Sequence, residues 1–306
     1  MKKAVSEEIR RFVRQEAGNR FPQTGEPYFD ELLVGFAAAD DPLFTEYKSV
    51  IGAFHLTPAE LAETAGDGDP WHPRTVICWS LPISEPTRKS NGFETLYPSR
   101  AWAKTRNDGE AFNASLRRHL VSYLCAAGYH ALAPQLHPAW REYPETPVGV
   151  ASSWSERHAA YAAGLGTFSL NDALITPRGI AHRLGSVITD LEMAPSRKTY
   201  PDHKSNCLFH REGTCGVCIG RCPVGALSKN GHDKQICREH VYGTIPKAVA
   251  ERFEVTSTGC GLCQTKVPCE SRIPLEKISP TVAEGGASSE WPALGETGAG
   301  RDRREA

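Results

Sequence analysis

Excess charge of either sign is missing from this sequence. Thirty-five lysines and arginines face 36 acids, giving a formal net charge of −1 over 306 residues. Such a balance gives no broad electrostatic pull toward nucleic acid or an anionic membrane. No apolar run approaches the length of a membrane span. The twin arginines Arg10-Arg11 lack the apolar segment of an export signal, since Arg14-Gln15-Glu16 follow within a few residues. The reading is a cytoplasmic protein with no membrane partner. Neither a G-x-G-x-x-G run nor a P-loop occurs, so no nicotinamide or nucleotide site is indicated. A D-x-H-x-x-G cobalt-ligand motif is absent as well.

Cysteine, by contrast, is concentrated. Eight of the ten cysteines fall between Cys207 and Cys269, around the run Cys215-Gly-Val-Cys218-Ile-Gly-Arg-Cys222-Pro223. Eight thiolates are what two cubane [4Fe-4S] clusters need, and a C-P ending is where the last cysteine crosses to the other cluster. Structural zinc also uses C-x2-C pairs, but a three-cysteine run ending in C-P is foreign to it. A disulfide framework belongs to short secreted domains. The crossed arrangement proposes one metal set of Cys207, Cys215, Cys218 and Cys269, and a second of Cys222, Cys237, Cys260 and Cys263. The gap from Cys207 to Cys215 is long, which leaves His203 or His210 as substitutes for Cys207. Thiols assembled into clusters fit a reducing compartment.

The rest of the chain is of ordinary globular composition. Val5, Ile9, Phe12 and Val13 predict an amphipathic helix over residues 4–17. The apolar run at 31–37 fits a strand or a helix, Thr57-Pro58 starts a helix, and 74–82 reads as a buried strand holding Cys78. A long helix is expected from the Asn107-Asp108 cap to Ala127, with Phe112, Leu116, Leu120 and Leu124 on one stripe, Cys125 in the core and Gly128 beyond its end. A strand at 129–133, a helix at 153–163 and a strand at 185–191 complete an α+β, layered α/β arrangement. Four segments follow: an N-terminal helical and loop region at 1–70, an α/β core at 71–200, the cysteine domain at 201–280, and a small, polar, disordered tail at 281–306.

Glu156-Arg157 with Gly164-Leu165-Gly166, Leu174-Ile175-Thr176 and Gly185-Ser186-Val187-Ile188-Thr189-Asp190, ahead of the cysteines, is similar to the superfamily of epoxyqueuosine reductases and reductive dehalogenases. The similarity spans about residues 70–275. It implies a nitroreductase-like, cobalamin-binding core followed by a ferredoxin-like domain with two [4Fe-4S] clusters. Electrons would come from a flavodoxin- or ferredoxin-type donor, pass through the clusters to cobalamin, and reduce a substrate. That superfamily also lacks D-x-H-x-x-G. Gly164, Leu165, Gly166, Leu174, Ile175 and Thr176 are the expected cofactor-binding residues, for a corrinoid or, failing that, a flavin.

Three departures separate the chain from the epoxyqueuosine reductases. Their catalytic acid is an aspartate six residues before the glutamate of E-R, where Val150 stands here. Their tyrosine- and histidine-bearing segment is replaced by Arg100–Asp108, and 37 residues after Cys269 are too few for a helical-repeat extension that grips tRNA. A tRNA substrate is therefore not expected, and the substrate is read as a small molecule. Tyr97, Arg100 and Tyr143 are the catalytic candidates, with Trp102 and Lys104 beside them, because a tyrosine next to a cation can donate a proton. The leading reading is an iron–sulfur reductase. The other is a ferredoxin-like electron carrier without catalysis of its own.

Overall fold

Residues 1–64 and 70–274 are described by a computed structural model of the chain. The tail expected at 281–306 lies outside the described residues. Helix α1 (Lys2–Gln15) buries Val5, Ile9 and Val13, whose spacing of four puts them on one face. The apolar run after it is strand β1 (Leu33–Ala38). Helix α2 (Leu43–Val50) follows, and α3 (Pro58–Glu63) opens on a capping box, with Thr57 N donating to Glu60 Oε2 at 2.8 Å and Glu60 N donating to Thr57 Oγ1 at 3.3 Å. Strand β2 (Thr75–Pro82) is buried at every position, Cys78 included.

After α4 (Glu85–Phe93) comes the long helix α5 (Arg100–Ala126). It starts seven residues earlier than the sequence suggested, because the Ser99 hydroxyl accepts from Trp102 N and caps it there. Asn107 and Asp108 instead spend their oxygens elsewhere: Asn107 Oδ1 accepts from Thr256 N and Ser257 N, and Asp108 accepts from the Tyr28 hydroxyl. The apolar stripe Phe112, Leu116, Leu120 and Leu124 is buried as expected, and Gly128 takes a left-handed φ of +86° past the helix end. Cys125 is exposed, not core, since it sits one residue past the buried stripe.

Strand β3 (Ala131–Leu132) is only two residues long. The ribbon of β4 (Glu142–Tyr143) and β5 (Ala151–Ser152) leads to α6 (Glu156–Ala162), capped by Ser155. A second ribbon, β6 (Thr167–Phe168) and β7 (Leu174–Ile175), precedes β8 (His182–Thr189). The main sheet runs β1-β2-β8-β3 and is antiparallel throughout. Trp79 Nε1 donates to Asn113 of α5, while Ser186, paired with Cys78 across the strands, accepts from Trp154 Nε1 just before α6. Adjacent strand residues face opposite ways, so α5 and α6 cover opposite faces of the sheet. A sheet covered on both sides explains the unbroken burial of β2. The fold is mixed α/β with small sheets.

The cysteine segment is built from short pieces: α7 (Leu208–Glu212), α8 (Val217–Arg221), the ribbon β9 (Leu227–Ser228) with β10 (Gly231–His232), α9 (Lys234–Arg238) and α10 (Ile245–Phe253). A π-helical stretch, Glu239–Thr244, joins the last two. The segment is tied to the α/β part by polar side chains. Arg221 donates to the carbonyls of Leu262, Thr265, Glu94 and Asn91, and Asn171 Nδ2 donates to Cys263 O at 3.0 Å. Together these residues form one compact unit.

Candidate functional site

The eight cysteines border two cavities, four to each. Cys207, Cys215, Cys218 and Cys269 border a small one, walled by Leu170, Ile175, Ile180 and Val267. Cys222, Cys237, Cys260 and Cys263 border a larger one. Neither His203 nor His210 borders either cavity. Backbone contacts fix the thiols. Cys207 follows Asn206, whose backbone N–H donates to Thr167 Oγ1 and whose side chain donates to Ile175 O, both at 2.9 Å. Cys269 O accepts from Ile180 N, also at 2.9 Å. Gly261, at φ +67°, lies where a Cβ would fall 1.9 Å from the Trp102 ring, so only glycine lets the Cys260–Cys263 turn close over that indole.

Burial, then the neighbouring Cys207 and Cys215, pushes the Cys218 thiol up to about 11. Cys269 rises to about 12 through burial and then Cys207, Cys218 and Cys215. In the other group, burial takes Cys260 to about 11, with Cys237 and Cys222 adding to it. Cys263 is raised well above its ordinary range by burial and then by Cys260, Cys237, Cys218 and Cys222. Cys218 and Cys269 thus feel the thiols of one group of four and Cys260 and Cys263 those of the other, and Cys218 acting on Cys263 marks where the groups adjoin. Among the described residues no three His, Cys, Asp or Glu side chains sit together as a single-ion site.

The larger cavity encloses about 560 Å³, within the range for small-molecule sites. Its opposite wall comes from α5, α6 and β8 and is charged. Glu110 Oε2 accepts from Arg183 Nε at 2.7 Å, and Glu110 Oε1 from Arg117 at 3.0 Å. Arg117 reaches Glu156 at 3.3 Å and donates to Leu184 O at 3.0 Å, with its side chain 2% exposed. Burial would raise the Glu110 carboxyl, but Arg183, Arg117 and Arg106 overcome it and hold it at about 2. Arg106 also borders the cavity; the like charge of Arg183, then burial, lowers its pKa, while Glu110 acts the other way. Arg157, Lys234 and the ion pair Arg238–Glu142 complete the charged rim.

Five buried polar atoms on bordering residues have no hydrogen-bond partner among the described residues: Arg117 Nε, Trp140 Nε1, Glu156 Oε2, His182 Nδ1 and His240 Nε2. Each is costly to leave so, about 1–3 kcal/mol. His182 Nε2 lies 2.8 Å from Leu174 O, and a carbonyl only accepts, so Nε2 carries the hydrogen and Nδ1 presents a lone pair. Burial lowers His182 to about 4, which keeps it neutral. His240 and Tyr242 ride on the π-helical stretch, whose wider turn delivers both to the cavity. His232 contacts Asp172 at 3.0 Å; burial opposes its protonation, but Asp172 and Cys237 lift it to about 9.

The residues picked from sequence distribute unevenly. Gly164, at φ +72°, would place a Cβ 3.1 Å from Arg197 O, and Gly166 would place one 2.3 Å from Ile175 O. Both glycines therefore serve close approach between stretches of this chain. Of the six residues expected at a cofactor, Leu174 borders the larger cavity and Ile175 the smaller. Leu165 and Thr176 are buried. Tyr97 stacks near His240, Arg100 pairs with Glu254 at 2.8 Å, Lys104 donates to Glu254 O, and the Tyr143 ring lies tilted against Phe54. None of these four borders the cavity, whereas Trp102 and Val150 do. The network the sequence reading missed left one trace: Arg106, Glu110, Asn113 and Arg117 recur at helical spacing along α5.

No family model matches the chain. Among curated proteins, an epoxyqueuosine reductase of Bacillus anthracis is 30% identical over 119 residues, covering 37% of this chain and 29% of that protein. One from Gloeobacter violaceus is 31% identical over 137 residues, 42% of this chain and 39% of its own. A tetrachloroethene reductive dehalogenase of Desulfitobacterium hafniense is 31% identical over 103 residues, 33% of this chain and 18% of its own. These similarities support the epoxyqueuosine reductase and reductive dehalogenase superfamily. The chain spans well under half the length of these superfamily relatives. Among solved structures, an epoxyqueuosine reductase with an epoxyqueuosine-modified tRNA stem loop aligns at 18% identity and TM-score 0.48, covering 88% of this chain and 66% of that one. A catabolic reductive dehalogenase in complex with 3-bromo-4-hydroxybenzoic acid follows at 17% identity and TM-score 0.47, covering 80% and 30%. No helix among the described residues is long and apolar enough to cross a membrane.

Proposed function

We propose that the chain is an iron–sulfur reductase of a small molecule, with two [4Fe-4S] clusters and its chemistry in the larger cavity. The observation that carries this reading is a shared wall: four thiols border the same 560 Å³ cavity as the Glu110–Arg117–Arg183 network, built on the buried Arg117. An electron carrier needs its clusters near a docking surface and has no use for a charged cavity beside one of them.

Cys207, Cys215, Cys218 and Cys269 would hold one cluster, and Cys222, Cys237, Cys260 and Cys263 the other. All-sulfur donor sets bordering a space, not converging on a point, suit a cubane. The clusters would supply one-electron transfer. The chain's own residues do the rest: Arg221, Asn171 and Asn206 hold the thiol-bearing loops, and the charged wall orients what binds. The nitroreductase-like core and ferredoxin-like domain of the superfamily are the frame in which these parts make sense.

Cobalamin is the cofactor the superfamily suggests for the larger cavity. The residues there fit a cofactor with a polar, amide-bearing edge, since Trp140 Nε1, Arg117 Nε, His182 Nδ1 and Glu156 Oε2 have donors and acceptors to give. A corrinoid would supply a metal centre able to pass electrons to the substrate; a flavin is the alternative, and a flavodoxin- or ferredoxin-type protein the donor. Val150, where a catalytic acid would stand, borders the cavity and cannot give a proton. A small-molecule substrate is therefore favoured over tRNA.

Anaerobic purification should yield about eight iron and eight acid-labile sulfide per chain. Stoichiometric zinc without sulfide would overturn the reading. Cys218→Ala and Cys263→Ala should each remove about half the iron, each with a different electron-paramagnetic signal lost. Restored queuosine in cells lacking their own reductase would overturn the small-molecule part alone.

A further inference from the structure

Six lysine and arginine side chains border the larger cavity against three carboxylates. The surplus is local, for the whole chain carries a formal net charge of −1. All three carboxylates are already engaged: Glu110 by Arg117 and Arg183, Glu156 by Arg117, and Glu142 by Arg238. That leaves Arg106, Arg157 and Lys234 with no carboxylate in ion-pair contact among the described residues. Arg157 and Lys234 at least donate to backbone carbonyls, those of Asp172 at 2.7 Å and Val148 at 2.8 Å.

Arg106 is differently placed. Its charged neighbours are the Arg183 guanidinium, which acts on it most, and the Glu110 carboxylate, already taken up by Arg117 and Arg183. The fold makes room for it. Gly259, at φ +61°, lies where a Cβ would stand 2.9 Å from Arg106 Cγ, so the turn into Cys260 is free of side chain where the arginine stem passes. With Glu110 shared between two other arginines, a partly buried cation beside a like charge gains from a further anion. Guanidinium planes suit carboxylate and phosphate oxygens, which they bind in pairs.

We propose that the larger cavity takes its ligand by an anionic oxygen group, carboxylate or phosphate, seated on Arg106 beside Arg183. The rim cations Lys234 and Arg157 add to the field that draws it in. As a statement about substrate this rests on the reductase reading above; as a binding site it does not. The group belongs to a substrate carboxylate or to a phosphate on a bound cofactor, and the two are separable.

Full-length protein, purified anaerobically, would be titrated calorimetrically with benzoate, with its neutral counterpart benzamide, and with inorganic phosphate. An anion is expected to bind at least ~10-fold more tightly than benzamide, the value of one charge-assisted contact. Preference for benzoate assigns the site to a carboxylate, and preference for phosphate to a phosphate-bearing ligand. Arg106→Gln should weaken the preferred anion by ~10-fold or more and Arg106→Lys by less, since a lysine keeps the charge but not the paired donors. Iron and sulfide content should stay at the wild-type level in both. Equal binding of benzoate, phosphate and benzamide, or an unaltered Arg106→Gln variant, overturns the proposal. Anion binding that depends on Arg106 in protein without iron would leave the anion site standing and remove the reductase reading instead.

Discussion

Glu110 sits between two guanidiniums, and each carboxylate oxygen serves a different one. Replacing it by glutamine leaves Arg117 and Arg183 facing each other across a buried gap, which should cost about 3 kcal/mol at pH 7. Its pH dependence has a definite sign. The folded carboxyl is held at about 2, below its usual 4.5, so its contribution is complete above pH 4.5 and is lost as pH falls through 2. Denaturant melts from pH 7 to pH 2 should show the wild type losing stability over that window and Glu110→Gln losing less. Identical slopes would disprove the pairing. The cysteines were readable in the sequence because a cluster dictates both residue type and local spacing. Glu110 was not, because its partner Arg183 lies far along the chain, and the helical spacing of Glu110 and Arg117 is shared by many solvated helix faces.

At the level of elements, periodicity located α1, β2, α5 and β8, since one buried face or an unbroken apolar run survives any tertiary context. Ends were harder. Asn107-Asp108 has the chemistry of a cap, yet Ser99 caps α5 while Asn107 accepts from the Thr256 and Ser257 amides. A capping residue bonds whichever amide folding brings near, and only three-dimensional structure says which. The glycines at 164 and 166 were equally opaque in purpose, since their close approach is to Arg197 O and Ile175 O. The same Ile175 carbonyl accepts from Asn206, which immediately precedes Cys207. Gly166→Val should therefore push β7 aside and loosen Cys207. The expected result is loss of about half the iron, with the signal assigned by Cys218→Ala disappearing and anion binding retained. Full iron content in that variant would sink this connection.

For the molecule as a whole, the cysteine segment is joined to the α/β part by Arg221, Asn171, Asn107 and Asn206, with small apolar groups around Cys207 and Cys260. Burial, then the thiols of Cys207, Cys218 and Cys215, raises Cys269, and four thiols so placed are held together comfortably only with metal among them. Chelating the iron under reducing conditions should open residues 201–274 to protease while the sheet and α5 stay protected. Unchanged protection throughout would show that the side-chain ties suffice alone. The two cavities also differ in medium. The smaller is lined by leucine, isoleucine and valine, and the larger by a surplus of cations. A reduced centre is disfavoured in the first setting and favoured in the second. With clusters seated as proposed, the redox potential rises toward the larger cavity, and an electron entering at Cys207's side runs downhill in energy to the place where the ligand waits.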